Sequence, residues 1–176
     1  MRRWTVPLSL GLLVTFAAFE LTLVATPRVL MAAAVRRVGA GGMNRMTHGP
    51  LATDRTRAIV RPSPDLAYSA CPFDLTQRSV RIHVPPVPSG YWSLSIFDAR
   101  TDAVFVRNNI QTREKSIDVV LSKAGRVLDP PLVGPREERV YLDGDRGIAL
   151  VRVLVEDGAR FAAIDIARRG ATCGPV

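Results

Sequence analysis

Three residues of the chain have the types found in a hydrolytic triad: Ser69, His83 and Asp98. A triad is defined by geometry, and no serine here lies in the Gly-x-Ser-x-Gly turn that would expose a nucleophile between a strand and a helix. His83 falls on the polar side of an alternating stretch beside Arg81, which is typical of an exposed histidine on a strand. The sequence therefore assigns no catalytic residue and favours a protein that is not an enzyme.

Metal and cofactor chemistry also lacks a sequence signal. The chain has two histidines, His48 and His83, and two cysteines, with no Cys-x-x-Cys and no spacing typical of zinc or iron ligands. His48 precedes Gly49 and Pro50 in a loop-like stretch, and we expect it to be solvated. We expect no metal and no cofactor.

The densest group of polar and aromatic residues runs from Pro64 to Leu75. Far along the chain, Arg152 is the one polar residue of an otherwise apolar stretch, so its guanidinium is expected to be partly buried. A buried charge needs a partner, because leaving it unpaired is costly. We predict a structural ion pair between Arg152 and a carboxylate, with Asp74 the first candidate, then Asp65 and Asp98.

The same group allows a second interpretation. Tyr68, Asp74 and Arg152 would then line a polar pocket that binds a small ligand. A deep polar pocket at these residues would favour ligand binding, and a flat apolar surface would favour contact with a partner protein.

The two cysteines, Cys71 and Cys173, are open to two interpretations. They are either two small buried side chains or one disulfide. A disulfide would require an oxidising compartment.

The elements that must hold these residues are mostly strands, because apolar and polar residues alternate from Ala58 onward. The stretch 148–155 is apolar on both faces and predicts a central strand. Residues 143–147 predict a hairpin loop, and 159–169 predict a helix in preference to a last strand. Further strands are predicted around 80–84, 92–96, 103–106, 117–121 and 140–142.

The N-terminal stretch from Thr5 to Ala25 is almost entirely apolar and is preceded by Arg2 and Arg3. About 20 apolar residues are needed for a helix to cross a bilayer. A cleavable signal peptide is the main alternative, but the small-x-small cleavage site that it needs is poorly matched. We predict a basic head at 1–4, a transmembrane helix at 5–26, a juxtamembrane segment and tether at 27–57, and a β domain at 58–176. The predicted fold is mainly β: a β-sandwich-like domain preceded by one N-terminal transmembrane helix.

Charge separates the two parts of the chain. Residues 1–60 carry a net charge of +6, whereas residues 61–176 carry only +2. The basic residues therefore flank the membrane segment, where they would meet anionic head groups. The β domain has no basic run with interleaved aromatic residues, which argues against nucleic-acid binding.

Orientation is suggested by two opposed observations. Counting arginines on each side of the span, with Arg28, Arg36 and Arg37 after it, narrowly favours a cytoplasmic C-terminus. The short head with Arg2 and Arg3 resembles the start of an export signal, and a disulfide would point the same way. We expect a single-pass protein of the inner (cytoplasmic) membrane with a periplasmic C-terminal domain.

Four motifs in order carry a family resemblance: Asp65-Leu-Ala-Tyr-Ser69, then Asp74-Leu75, then a strand from Val80 that ends at Pro85, then Gly90-Tyr91-Trp92 opening a strand that ends at Asp98. Over about residues 58–157 this pattern resembles the bacterial family called domain of unknown function 1254. The chain is similar to its short, membrane-anchored subtype. The resemblance implies an all-β domain of the cell envelope and brings no catalytic residues.

Longer members of that family continue into a companion, domain of unknown function 1214. The resemblance therefore implies, as a partner, a separate envelope protein that carries this companion domain. From the sequence, we expect a membrane-anchored cell-envelope protein that acts as a non-catalytic interaction or assembly module; the alternative is an enzyme or ligand-binding domain with a pocket near Tyr68, Asp74 and Arg152.

Overall fold

A computed structural model of the chain describes residues 4–51, 62–113, 115–126, 130–131 and 133–176. Most of the predicted basic head, the predicted tether from residue 52 and the predicted start of the β domain at Ala58 lie outside the described residues. In chain order, the described elements are α1 (Thr5–Val38), β1 (Thr47–His48), β2 (Leu66–Asp74), β3 (Val80–Val84), β4 (Trp92–Phe97), β5 (Ala103–Asn108), β6 (Ile117–Lys123), β7 (Glu138–Leu142), β8 (Arg146–Leu154), α2 (Phe161–Arg168) and β9 (Thr172–Pro175).

The N-terminal helix α1 is one continuous helix of 34 residues that includes Pro27. It is long and apolar enough to cross a membrane, and none of its most apolar stretch is buried in the protein. A signal sequence near an N-terminus has the same length and composition, so the helix is a candidate span. Arginines 36 and 37 occupy its last turn, where positive charge is favourable toward the helix dipole.

The last turns of α1 pack against the β domain. Met31 and Val35 are buried against Ile148, and Ala70 and Phe97 lie beside them. The chain then turns through a short 3-10 segment at Gly39–Gly41. The apolar, unburied part of the helix is therefore continuous with a part that contacts the sheet.

The described strands form two sheets, and the predicted mainly β fold behind an apolar N-terminal helix is confirmed. Sheet A has the order β1-β2-β8-β4-β5, and sheet B has the order β7-β6-β3-β9. Neighbouring strands are antiparallel except for β6 and β7, which are parallel. β8 is the middle strand of sheet A, as its apolar sequence predicts.

The hydrophobic core lies between the inner faces of the sheets. On β2 the inner face is formed by the alternate residues Ala67, Ser69, Cys71 and Phe73, all buried. The core also contains Trp92, whose side chain is 1% exposed. Burying one large apolar side chain contributes about 1.5–3 kcal/mol, and many such side chains stabilise the pair of sheets.

The predicted hairpin at 143–147 is wrong. β7 pairs with β6 in sheet B, whereas β8 pairs with β2 and β4 in sheet A. The loop therefore carries the chain from one sheet to the other, although its Asp and Gly residues resemble a hairpin turn. Gly147 is required at the start of β8, because a Cβ there would lie 2.1 Å from the Phe97 carbonyl oxygen and 2.5 Å from the Phe73 ring.

Candidate functional site

The structure brings Tyr68 and Arg152 together on the outer face of sheet A. They are opposite each other in the β2–β8 pair, and Arg152 is opposite Ser93 in the β8–β4 pair. Arg152 Nη2 donates to Ser95 Oγ at 2.9 Å. We call Tyr68, Ser93, Ser95 and Arg152 the Arg152 cluster.

Two polar atoms of the Arg152 cluster are buried without a hydrogen-bond partner among the described residues: Arg152 Nε and Ser93 Oγ. Ser93 is fully buried. The Tyr68 hydroxyl has a partner, since it accepts from the Ser63 N–H at 2.9 Å. Orphaned polar atoms beside a guanidinium are unusual in a folded protein.

The predicted ion pair between Arg152 and Asp74 is not formed, and Arg152 pairs with no carboxylate in the described part of the chain. Asp74 lies opposite Arg146, and its Oδ2 accepts from Arg146 Nε at 2.8 Å. Asp74 and Tyr68 are six residues apart on the same strand, about 20 Å at ~3.3 Å per residue. The antiparallel register of β2 and β8 therefore separates Asp74 from Arg152, and this register could not be predicted from the sequence.

The other two predicted partners of Arg152 are also used elsewhere. Asp98 accepts from the backbone N–H groups of Arg100 and Asp102 and pairs with the Arg100 side chain, so it closes the turn after β4. Asp65 is exposed, and its backbone carbonyl accepts from the Val155 N–H at 2.8 Å. Neither carboxylate forms an ion pair with Arg152.

The Asp74 carboxylate has a perturbed pKa. Burial raises this pKa, but hydrogen bonds from Thr76 and Arg146, together with the Arg146 charge, outweigh burial and hold it below its usual value. The side-chain amide of Asn44 binds the backbone of Asp74. Its oxygen accepts from the Asp74 N–H at 2.7 Å, and its nitrogen donates to the Asp74 carbonyl at 3.0 Å. Asp74 therefore fixes the end of β2 to the segment that follows α1.

A buried polar network that the sequence did not indicate surrounds Arg168 on α2. Arg168 is fully buried and forms an ion pair with Asp165. Its guanidinium donates to the Tyr68 carbonyl at 2.8 Å, to Ser69 Oγ at 3.0 Å and to the Gly49 carbonyl. We call Arg168 and these partners the Arg168 network; it joins α2 to β2 and to the segment after β1.

His48 belongs to this network and is not merely solvated as predicted. Its Nδ1 lies 2.9 Å from Ser69 Oγ, so Ser69 contacts both His48 and Arg168. Burial, followed by the charges of Arg168 and Arg169, lowers the pKa of His48 below its ordinary value. A serine beside a neutral histidine is a nucleophile–base pair by type, but Ser69 is only 1% exposed and lies on the inner face of β2. A substrate therefore has no access to it, and the network is structural.

Asp165 completes the electrostatics of the network. Burial raises its pKa, but hydrogen bonds and charges from Arg169 and Arg168 outweigh burial and lower it. Arg169 Nε lies 2.7 Å from Asp165 Oδ2, so the carboxylate lies between two guanidinium groups. Of the residues with triad types, Ser69, His83 and Asp98 each have a different partner, and no triad is formed.

His83 lies on the outer face of sheet B, half-exposed as predicted for a strand histidine. Its Nδ1 lies 2.6 Å from Asp118 Oδ1, and Ser116 donates to Asp118 Oδ2 at 2.6 Å. Asp118 also lines a cleft of about 450 Å³ between the end of β5, the loop after it and the start of β7. In the described ranges, no group of three histidine, cysteine or acidic residues could hold a metal ion.

The two cysteines form a disulfide that joins the two sheets. Cys71 on β2 is bonded to Cys173 on β9, with a Cα–Cα distance of 6.4 Å and a separation of 102 residues along the chain. Cys71 is fully buried in the core. Of the two interpretations left open by the sequence, the structure has the bonded form, and it ties the last strand, β9 of sheet B, to β2 of sheet A.

Fold and site together define the class of protein: a two-sheet β domain behind an apolar helix, with a buried polar network and, among the described residues, no catalytic triad and no three-residue metal group. The chain belongs to the family described as Protein of unknown function (DUF1254), whose model matches residues 43–175. The predicted resemblance is thus confirmed. No curated protein matches the chain in sequence.

Two solved structures are similar to it. The VPA0106 protein from Vibrio parahaemolyticus is 12% identical with a TM-score of 0.62, over 87% of this chain and 38% of that one. A putative uncharacterized protein from Burkholderia cenocepacia is 14% identical with a TM-score of 0.47, over 90% of this chain and 42% of that one. The chain thus spans about two fifths of the length of each. At this identity the Vibrio structure supports the fold alone.

Proposed function

We propose that this protein is a single-span protein of the inner membrane, of the short, membrane-anchored subtype, whose β domain acts as a non-catalytic interaction or assembly module. In this proposal residues 5–26 span the membrane, 27–57 join the span to the domain and include strand β1 of sheet A, and 58–176 form the rest of the domain. The observation that carries it is the continuity of α1: its apolar part is unburied, while Met31 and Val35 pack on sheet A. An unburied apolar surface of this length needs a bilayer or a partner.

A periplasmic position of the domain is supported by the disulfide. Cys71 and Cys173 are bonded, and structural disulfides persist in oxidising compartments and are rare in the cytosol. The opposing observation is the charge after the span, where Arg28, Arg36 and Arg37 favour a cytoplasmic side. We give the disulfide more weight, because the difference in arginine count across the span is small.

The surface proposed for the partner is the free edge of sheet A at β5. Val104, Val106 and Ile110 are exposed by 39%, 47% and 73%, and β5 is the last strand of its sheet. A free strand edge with apolar side chains can pair with a strand of another protein. The proposed partner is an envelope protein that carries the companion domain of unknown function 1214.

Location is tested by fractionation and protease access. The full-length protein should stay with membranes after carbonate extraction, and protease added to spheroplasts should digest the β domain. Release of a shortened protein into the periplasm would identify α1 as a signal peptide. Protection of the domain in intact spheroplasts would place it in the cytoplasm.

The partner surface is tested by site-specific photo-crosslinking in cells that also produce the companion-domain protein. A crosslinking residue at Val106 should yield an adduct with that protein, whereas one at Thr76, which is exposed at the far end of β2, should not. Equal adducts at both positions would argue against the β5 edge. No adduct at Val106 would argue against this partner.

A second candidate function is the binding of a small polar ligand at the Arg152 cluster. The buried Arg152 Nε and Ser93 Oγ, which have no hydrogen-bond partner among the described residues, favour it. Of the three residues predicted to line the pocket, only Tyr68 and Arg152 belong to this site, because Asp74 lies too far along β2. Loss of ligand binding on Arg152→Met, in a domain that still folds, would support it.

A further inference from the structure

The carboxylates that line the cleft beside β5 already have hydrogen-bond or ion-pair partners. Among the described residues, three carboxylates line the cleft: Asp118, Glu137 and Glu138. Glu137 Oε1 pairs with Arg81 Nε at 2.6 Å, and its Oε2 accepts from the Val133 N–H at 2.6 Å. Glu138 pairs with Arg107 through both of its oxygens. With His83 and Ser116 on Asp118, each carboxylate has its donors within the domain.

The basic residues of the cleft are less well paired. Four of them line it: Arg107, Arg113, Lys115 and Arg136. Among the described residues, the last three form no ion pair and no side-chain hydrogen bond, and all three are exposed. Cations collected around a concavity raise the local potential and concentrate anions there.

We propose that this cleft is a binding site for a small anion with two or more carboxylate or phosphate groups. Its volume of about 450 Å³ lies within the range of small-molecule sites. Arg113 and Arg136 offer planar forks for two oxygens of an anionic group, and Lys115 offers a third, mobile charge. Three separate cations can hold more than one anionic group at the same time, and for this reason we take the ligand to carry at least two.

Anionic lipid head groups share this chemistry, but the position of the cleft favours a soluble anion. Helix α1 packs at the Phe97 end of β4. Arg107 and Asn108 lie at the other end of that strand, opposite Leu94 and Ser93. Four residues of strand separate the two ends by about 13 Å, and the cleft lies at the end remote from the helix.

The test measures binding to the full-length protein in nanodiscs of phosphatidylcholine, with citrate and tripolyphosphate as probes and isothermal calorimetry as the readout. Saturable binding of either probe is expected, and acetate should bind far more weakly. Lys115→Gln and Arg136→Gln should each weaken binding about tenfold, as expected for one charge-assisted hydrogen bond. Both side chains are exposed, so thermal unfolding should not change.

Matched controls separate a built site from general charge. Arg78→Gln removes the same charge from an exposed position in the β2–β3 turn and should leave the affinity unchanged. Glu138→Gln removes the ion-pair partner of Arg107 and should strengthen binding of the anion. Asp143→Asn removes the same charge from the loop before β8 and should leave the affinity unchanged.

Three outcomes would overturn the proposal. They are absence of saturable binding, an equal loss with Arg78→Gln, and an equal gain with Asp143→Asn. A further arm uses nanodiscs that contain phosphatidylglycerol at the same ionic strength. Unchanged citrate affinity supports a soluble anion, whereas loss of citrate binding there would show that the site takes head groups instead.

Discussion

Replacing Arg168 by Met should destabilise the β domain by about 3 kcal/mol. The substitution keeps much of the side-chain volume and removes every donor of a fully buried guanidinium. Breaking one side of a buried ion pair costs about 3–5 kcal/mol when the partner is left alone. Asp165 is not left alone, because Arg169 remains 2.7 Å away, so the loss should lie at the lower end of that range.

The hydrogen bonds of Arg168 lead to a similar value. The Tyr68 carbonyl keeps a donor, the Gly49 N–H at 3.0 Å, and Ser69 keeps His48. The Gly49 carbonyl loses Arg168, its donor in the network. One buried acceptor without a donor costs about 1–3 kcal/mol, and the weakened Asp165 pair adds to it.

Arg169→Met is the matched control. Arg169 binds the same carboxylate, but its side chain is 53% exposed, and an exposed ion pair contributes about 0–1 kcal/mol. The two variants therefore change neighbouring arginines that share one partner and differ mainly in burial.

The assay is urea unfolding of the full-length protein in mild detergent, followed by tryptophan fluorescence. The chain has two tryptophans; in a Trp4→Phe background only the buried Trp92 reports, and it lies in the core between the sheets. A buried and an exposed ion pair are expected to differ by more than about 0.5 kcal/mol. If Arg168→Met and Arg169→Met lose the same free energy of unfolding within that margin, the Arg168 network does not hold α2 to β2.

Three further predictions concern the predicted and observed partners. Folding lowers the pKa of His48, so just below pH 6.5 the unfolded chain binds more protons than the folded one. The free energy of unfolding should therefore fall as pH decreases below about 6.5. Urea unfolding at several pH values should show this dependence on pH, and His48→Gln should reduce it. The Cys71–Cys173 bond closes a loop of 102 residues, so its reduction should cost about 4–5 kcal/mol by the chain-entropy model, measured with and without reductant after alkylation has counted free thiols. Arg152→Met should cost about 1.5 kcal/mol, the lower end for a hydrogen bond from a charged group, and should be additive with Asp74→Asn in a double-mutant cycle, because the two side chains share no partner.

Sequence alone predicted the strands well wherever one face is buried. The alternation around Val80–Val84 predicted a half-buried strand, the apolar run at β8 predicted a central strand, and both are found. The physical reason is local: a strand with one buried face must alternate, and a strand covered on both faces need not. β1 is only two residues long and β9 only four, too short for an alternation to be recognised.

What the sequence could not predict is which strands become neighbours. The loop at 143–147 has hairpin residues but connects two sheets, and the Asp74–Arg152 pair fails because the β2–β8 register places Arg146 opposite Asp74. Pairing depends on contacts far apart in the chain, and the residue types do not encode it locally. Arg168 shows the same limit: the C-terminal stretch has several arginines, and the sequence does not indicate which of them will be buried.

β2 is the element through which the parts of the protein are coupled. Its outer face, at Ala70, receives the last turns of α1, and its inner face, at Cys71, is bonded to β9 of sheet B. Its Tyr68 carbonyl accepts from both the Gly49 N–H and Arg168. The helix, the first strand, α2 and the second sheet therefore all meet on one strand. Because interiors are closely packed and transmit strain, a change at one of these contacts acts on the others through β2.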